Sequence, residues 1–544
     1  MLSRRSAVTV GMFAGSALLT GATNPAWAAG TAAHRSPRSP QPLLSPLSPQ
    51  SPPTIPAVQH FAPGGTAWRP SPATRLVLSP DDAGALRSEA RSLAAELVQE
   101  GHVKHPPRIT VSSRPGPHDL ALRLGPVPGS ASPEAYRIDS GRVLVITGRT
   151  AAGVFHGTRT LLQVLRQRHE TTGSITDWPE YAQRGLMVDV ARKHFTPEWL
   201  EAKIRELAWL KLNTLHLHLS DSLGLRIESE THPEVVTSPA LSKDQVRHLI
   251  AVAERHHVTI VPEIDSPGHL AVLLQAHPEL QLVRKDGTRD ASNLDYSKPA
   301  ARELVADLIG EYADLFPGPW FHLGGDEYFG YPWDTNRITG ENAPQLLEYA
   351  RHTAGPNATL QDGFNIYVNG LIALLTRKGK RAKIWNDHVV PGQGVVDIDH
   401  SAEVEVWIRW NADEPSVDDY VRAGYDVLNG HGDHLYFILA PDQQHETGKK
   451  SAQDLYDVWT PRTFMSSPGA DAQLADGAPM SGSHLSIWCD NPDFQTEQQV
   501  SESLGPWLRS FAQQIWGSPK PAAVYTEFTP LIDSVGDAPR EIPG

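Results

Sequence analysis

The spacing of apolar and polar residues changes near Trp178-Pro179. Beyond it, short apolar runs ending in polar residues alternate with amphipathic stretches long enough to form helices. The runs at 186–191, 214–220, 259–265, 321–327, 382–387, 403–408, 425–429 and 484–490 read as strands, with helices at 198–210, 243–256, 301–315 and 365–378. Eight strands interleaved with helices predict an α/β fold, a (β/α)8 TIM barrel spanning residues 181–520. Residues 57–180 predict a small α+β domain in front of it, with strands at 75–78, 108–111, 119–124 and 142–147 and helices at 81–99 and 151–168. No set of residues in that domain has a catalytic pattern. Residues 521–544 read as a C-terminal tail.

The N-terminal region has a different character. Arg4 and Arg5, a small and apolar run over 7–19, and Ala26-Trp27-Ala28 predict a signal peptide over residues 1–28 and hence a secreted protein. The run is shorter than the roughly 20 residues a membrane span requires, so no span is expected after cleavage. Ser3-Arg4-Arg5 partly matches a twin-arginine signal, the export route for folded proteins. Ser-Pro repeats over 29–56 predict an extended linker, either a tether to a surface or a plain leader.

Composition narrows the partners. Lys plus Arg against Asp plus Glu gives 48 − 62 = −14, which argues against nucleic acid and anionic membranes as ligands. A hydrophobic share of 40% and a charged share of 20% are those of an ordinary globular protein. The single cysteine, Cys489, excludes an intramolecular disulfide. Oligomeric state leaves no mark in the sequence.

In a barrel of this kind the strands' C-terminal ends form the active face. Here those ends carry Asp189, Asp221, Glu263 with Asp265, Asp326 with Glu327, Asn386 with Asp387, Trp407, and Trp488 with Asp490. An acidic mouth walled by indoles suits a sugar, whose ring faces stack on aromatics while its hydroxyls bond to carboxylates. Phe321-His322-Leu323-Gly324-Gly325-Asp326-Glu327 is the most informative segment: its glycines permit close approach, and its paired acids can act as general acid and ionised partner. A strand ending in two acids can equally be a helix cap or a solvated loop.

Four segments in register carry a resemblance: Gln183-Arg184-Gly185-Leu186-Met187-Val188-Asp189, the stretch from Lys211 through His216-Leu217-His218 to Ser220-Asp221, Pro262-Glu263-Ile264-Asp265-Ser266-Pro267-Gly268-His269, and His322-Leu323-Gly324-Gly325-Asp326-Glu327. Over residues 57–510 the chain resembles family 20 glycoside hydrolases, the β-N-acetylhexosaminidases and lacto-N-biosidases. The resemblance implies an oligosaccharide or glycoconjugate substrate, no cofactor, and a retaining mechanism in which the substrate's own 2-acetamido oxygen attacks the anomeric carbon. It further implies Glu327 as acid/base, Asp326 as the residue orienting the acetamido group, and Tyr436 as a donor to its oxygen. Trp385, Trp407 and Trp488 are then the aromatic walls, Arg184 a hydroxyl ligand, and Asp221 with His269 the pair that tunes Glu327.

The chain also departs from the hexosaminidase pattern. Leu217 and Leu225 stand where tryptophan is usual, Ile438 where an aspartate follows the tyrosine, and Asp490 where a glutamate binds terminal hydroxyls. These changes resemble the lacto-N-biosidase branch, whose pocket admits a further galactose. Two other readings stay open on the residues alone. One is a metal-dependent hydrolase using His216, His218, His269 and Asp326; the other is a sugar-binding protein without catalysis, opposed by the presence of both Asp326 and Glu327.

Overall fold

The computed structural model describes residues 51–540 apart from 168–170, 332–333, 441–443 and 446–447, all within one compact unit. The signal peptide expected over 1–28 and most of the linker expected over 29–56 lie outside the described residues. The linker's described end is packed into the fold. Residues 54–58 are buried, Ile55 N donates to Gln163 Oε1 at 2.9 Å, and Ala57 N donates to Gln513 Oε1 at 2.9 Å, because Ile55 and Val58 join the main core. Among the described residues no helix is long and apolar enough to cross a membrane.

The first domain is a seven-stranded mixed sheet in the order His60–Ala62, Ser174–Asp177, Tyr136–Asp139, Leu144–Gly148, Leu120–Leu124, Arg75–Leu78, Arg108–Val111. The three strands that the sequence pattern misses are short and lie together at one side, paired antiparallel. The helix expected from residue 81 starts at Arg87. Residues before it form turns in which Asp82 Oδ2 accepts from Leu124 N (3.1 Å) and Ser79 Oγ (2.7 Å), pinning that stretch to the sheet. Helix Ala151–Arg166 is buried almost throughout, since it lies on the sheet and also meets helices Pro197–Trp209 and Tyr525–Val535. The second of these falls in the expected tail; its Phe528, Ile532 and Val535 are buried, so this segment is packed structure.

The barrel strands are Gln183–Asp189, Thr214–His218, Thr259–Glu263, Trp320–His322, Arg381–Trp385, Glu403–Val406, Asp426–Asn429 and Gly482–Trp488. They pair in parallel in chain order, and the seventh closes on the eighth. A further short strand, Tyr436–Ile438, continues the seventh stave: Asn429 faces Ser483, and after a loop Tyr436 faces Ser486. The connection over 386–402, whose residues are all described, has no α-helix, so the strand–helix alternation lapses after the fifth strand.

Alternation along the strands sorts side chains between two layers. In the second strand Leu215 and Leu217 enter the hydrophobic core, while His216 and His218 meet Glu263. The barrel axis is therefore lined by buried charged and polar groups, among them Lys383, Glu403, Glu405 and His484.

The small domain docks on the strands' N-terminal ends through buried ion pairs. Lys211 Nζ lies 3.0 Å from Asp177 Oδ2 and donates to Tyr136 OH at 2.7 Å. Arg184, expected among the substrate ligands, belongs to this seam and not to the mouth. Its guanidinium donates to both Glu134 oxygens at 2.9 and 2.7 Å and to the carbonyls of Lys211 and Tyr181, and it lies 5.1 Å above the Trp516 ring. The second residue of the first strand starts at the barrel's floor, which no side chain from there can leave. Arg184→Ala should cost about 3–5 kcal/mol by stranding the Glu134 carboxylate. Urea unfolding measures it, and a variant as stable as the parent would show that the pair holds nothing together.

Candidate active site

The site begins with a turn that only glycine permits. The fourth strand ends at His322, earlier than residue 327, because Gly324 and Gly325 take φ of +70° and +95°. A Cβ at 324 would sit 1.8 Å from Asp265 Oδ1, the atom that accepts the Gly325 N–H at 3.0 Å. The chain thus turns over Asp265 and delivers Asp326 and Glu327 to the mouth. Glu327 is itself left-handed (φ +52°), as is His269 (φ +55°), a conformation worth about 1–3 kcal/mol of strain that the surroundings must hold.

His269 stands between the two acids and a buried chain of partners. Its Nε2 is 3.4 Å from Glu327 Oε2 and 3.5 Å from Asp326 Oδ2, and its Nδ1 is 3.4 Å from Asp221 Oδ2. Asp221 meets Arg192 at 2.7 Å and His218 Nε2 at 3.0 Å; His218 Nδ1 meets Glu263 at 2.6 Å. Arg192 also bonds Asp189 at 2.9 Å and lies 5.4 Å above the Trp488 ring.

Aromatic side chains enclose the space beside the acids. Trp385, Trp407, Ile408 and Met465 form a buried cluster separate from the main core, with Trp410, Tyr436 and Trp488 packed on it. Tyr436 and Trp407 are nearly parallel (9°) with centroids 5.8 Å apart; Tyr436 and Trp488 are 5.7 Å apart, Trp385 and Trp488 6.1 Å. Polar anchors fix two indoles: Trp385 Nε1 donates to Glu263 Oε1 at 2.9 Å and Trp407 Nε1 to Asp387 Oδ2 at 2.5 Å. Next to Glu327 a cavity of about 360 Å³ opens, lined by Tyr331, Asp387, His388 and Trp410 among others.

Burial and neighbouring charge set the protonation of this end of the barrel. Burial, reinforced by Glu327 and Glu263 and opposed by His269, holds Asp326 above the usual carboxylate range. Burial and Asp326 push Asp265 and Asp387 well above it. For Glu327 burial is outweighed by His269, by the Tyr331 hydroxyl that donates to Oε1, and by Arg192, so its pKa is lowered. His269 and His218 are buried too, yet the carboxylates on either side of each raise them well above an ordinary histidine. Asp326 is thus raised and Glu327 lowered, the reverse of the order expected for an ionised Asp326 and an acidic Glu327.

The structure brings Glu327, Asp326, Asp221, His269, Trp385, Trp407, Trp488 and Tyr436 together. Asp490 is exposed just past the end of the eighth barrel strand. Ile438 is half-buried beside Trp488 in the extra strand. Leu217 and Leu225 are sealed in the main core, so their departures from tryptophan leave the site's lining untouched. His216 and His218 turn to Glu263 and not to Asp326, against the zinc set considered above. Two side chains escaped the sequence reading. Arg192 lies just past the first strand's end, three residues after Asp189, where strand-end position was a signal; Tyr331 lies four residues after Glu327 in the loop beyond the fourth strand, where no pattern marked it. Glu263 was read only as one of the strand-end acids.

The glycosyl hydrolase family 20 catalytic-domain profile matches residues 181–519, more than half of the 544, and the family's domain 2 profile matches residues 51–178. The chain belongs to glycosyl hydrolase family 20. Among this family 20 protein's relatives, a Bifidobacterium bifidum lacto-N-biosidase is 29% identical over 488 residues, 89% of this chain but only 41% of that protein. A Dictyostelium discoideum β-hexosaminidase subunit A1 is 29% identical over 63% of this chain and 61% of its own. The chain thus spans less than two thirds of these relatives. A Cellulomonas fimi β-N-acetylhexosaminidase is 27% identical over 79% of this chain and 83% of its own. Among solved structures, a mutant Streptomyces plicatus β-hexosaminidase with its product GlcNAc superposes with a TM-score of 0.69 at 24% identity, over 90% of this chain and 95% of that one, showing the same fold.

Tyr331→Phe removes a donor to Glu327 and should move its pKa upward. Carboxyl 13C NMR titration reads this directly; an unchanged or lower value would mean the hydroxyl does not stabilise the carboxylate.

Proposed function

We propose that the protein is a retaining glycoside hydrolase that releases terminal β-linked N-acetylhexosamine from oligosaccharides or glycoconjugates by substrate-assisted catalysis. The observation that carries this reading is the pair Asp326 and Glu327, both within 3.5 Å of His269 and facing an aromatic enclosure. A sugar's acetamido methyl fits among Trp385, Trp407 and Tyr436, which places its carbonyl oxygen behind the anomeric carbon. That oxygen attacks carbon 1, the bond to the leaving oxygen breaks, and Glu327 gives that oxygen its proton. Asp326 accepts the acetamido N–H and balances the charge of the oxazolinium ion. Water then adds to carbon 1, passing its proton to Glu327, and the ring opens with retained configuration.

Substrate supplies the proton order this needs. An acetamido N–H against Asp326 favours its ionised form. A leaving group laid over Glu327, whose side chain is 30% exposed, removes water from it and favours its neutral form. Activity should therefore fall at low pH as Asp326 takes a proton and at high pH as Glu327 loses one.

A second reading has its own support. Exposed Asp490 and half-buried Ile438 leave the rim near Trp488 with shorter and less polar side chains, as release of a Gal-β1,3-GlcNAc disaccharide by a lacto-N-biosidase would favour. Comparing aryl N-acetylglucosaminide with aryl lacto-N-bioside decides between the two. Secretion through the Arg4-Arg5 leader belongs to the same proposal, checked by an N-terminus processed after Ala28 in the culture medium.

Glu327→Gln should slow poor leaving groups by about 10²–10⁴-fold and activated aryl glycosides much less. Asp326→Asn should cost about 10²–10³-fold whatever the leaving group. Equal leaving-group dependence in the two variants, or a wild-type enzyme indifferent to a thiazoline mimic of the cyclised sugar, would sink the mechanism.

A further inference from the structure

Behind the two acids lies a buried carboxylate that the mechanism does not use. Glu263 ends the third barrel strand with no exposure, and each of its oxygens serves a different side of the site. Oε2 is 2.6 Å from His218 Nδ1, and His218 Nε2 is 3.0 Å from Asp221, which leads through His269 to Glu327. Oε1 accepts the indole N–H of Trp385 at 2.9 Å, and so fixes the plane of a wall of the enclosure.

Glu263 is surrounded from every side. The second strand presents His216 (3.0 Å) and His218, the fourth His322 (3.1 Å), the fifth Trp385, and its own strand leads on to Asp265; Glu405 of the sixth strand faces it from behind His322. Histidine tautomers decide which contacts are strong. His322 Nδ1 accepts the Gly324 N–H at 3.0 Å, so its proton is on Nε2, turned towards Glu405 and away from Glu263. His218 faces a carboxylate at each nitrogen and can satisfy both only as the doubly protonated imidazolium. The result is a row of alternating charge: Glu263 negative, His218 positive, Asp221 negative, His269 positive, then the acid pair.

We propose that Glu263 is a positioning residue that joins the two halves of the active site, fixing the acid/base row through His218 and the aromatic wall through Trp385. The inference rests on the glycosidase reading for its kinetic consequences, but not for the geometry. Removing its charge leaves His218 free to lose a proton at lower pH. It also frees the Trp385 indole to turn. One residue then governs both proton delivery and enclosure of the acetamido group.

Wild-type protein gives the first test. 15N NMR should show both His218 nitrogens protonated at pH 7, above the ordinary histidine value near 6.5; a neutral His218 at that pH overturns the proposal without reference to any substrate. In Glu263→Gln, His218 should lose its proton at lower pH than in the wild type, the kcat/KM profile should gain a matching ionisation, and thiazoline inhibition should weaken about ten- to a hundredfold. Trp385→Phe should weaken the inhibitor without the added ionisation, and in the double variant the two losses should not add. Glu405→Gln, at equal depth in the barrel, should keep the wild-type profile and inhibitor affinity. If Glu263→Gln behaves like Glu405→Gln, or its inhibitor loss simply adds to that of Trp385→Phe, Glu263 is only a core residue. Absence of hydrolysis by the wild-type protein would instead refute the glycosidase reading, and the His218 titration would still judge the proposal.

Discussion

Carboxylates brought out of water at one end of a closed barrel are costly unless each meets a cation or a donor. This constraint shapes the active face. Asp221 sits between His218, His269 and Arg192, Asp189 is bound to Arg192, and Glu263 is held by His218 and Trp385. Acids that lack a full cationic partner, Asp265 and Asp387, are pushed towards the neutral form. The mouth can therefore hold many acids without an equal number of positive side chains, since burial and repulsion neutralise some of them by protonation.

The opposite end of the barrel solves the same problem for a structural purpose. There Arg184 with Glu134 and Lys211 with Asp177 cross the seam between the domains, stacked under Trp516. A floor fixed in this way holds the strand beginnings, and the strand ends inherit that rigidity. Asp189, Glu263, Trp385 and Trp488 all close regular strands. His269, Asp326, Glu327 and Tyr331 come from connecting chain, as do Arg192, Asp387 and Trp407 just past strand ends. The strand-borne members hold their geometry best.

The barrel was legible because its strands are short, apolar-rich segments ending in polar residues and separated by amphipathic helices long enough to count. Family likeness then placed most of the mouth. What escaped depended on direction. Arg184 lies at the start of the first strand and Arg192 follows its end, and only those positions decide which one reaches the floor and which the mouth. Leu217 looked like a change of pocket lining, but period-two alternation turns it outward into the core. The polar axis through His216, Glu263, Glu405 and His484 left no sequence signal either, because a histidine between leucines reads the same whether it meets a carboxylate or packs alone. The packed ends around Ile55 and Phe528 were misread because Ser-Pro repeats and a terminal position describe composition, and burial is decided by distant partners.

Two acids adjacent in sequence can do different work only if their surroundings differ, and here they do. Asp326 is 9% exposed, and burial together with the charges of Glu327 and Glu263 raises its pKa against the pull of His269. Glu327 points to the open side, where Tyr331 and His269 hold it as a carboxylate. A neutral ligand with one amide donor and one bulky leaving group would act on the two in opposite senses, the donor drawing the proton off Asp326 and the bulk driving one onto Glu327. On the proposed reading, a sugar bearing an amide would set both protonation states at once, so that selectivity for a 2-acetamido sugar would rest on the electrostatics of the mouth as much as on the shape of the indole walls.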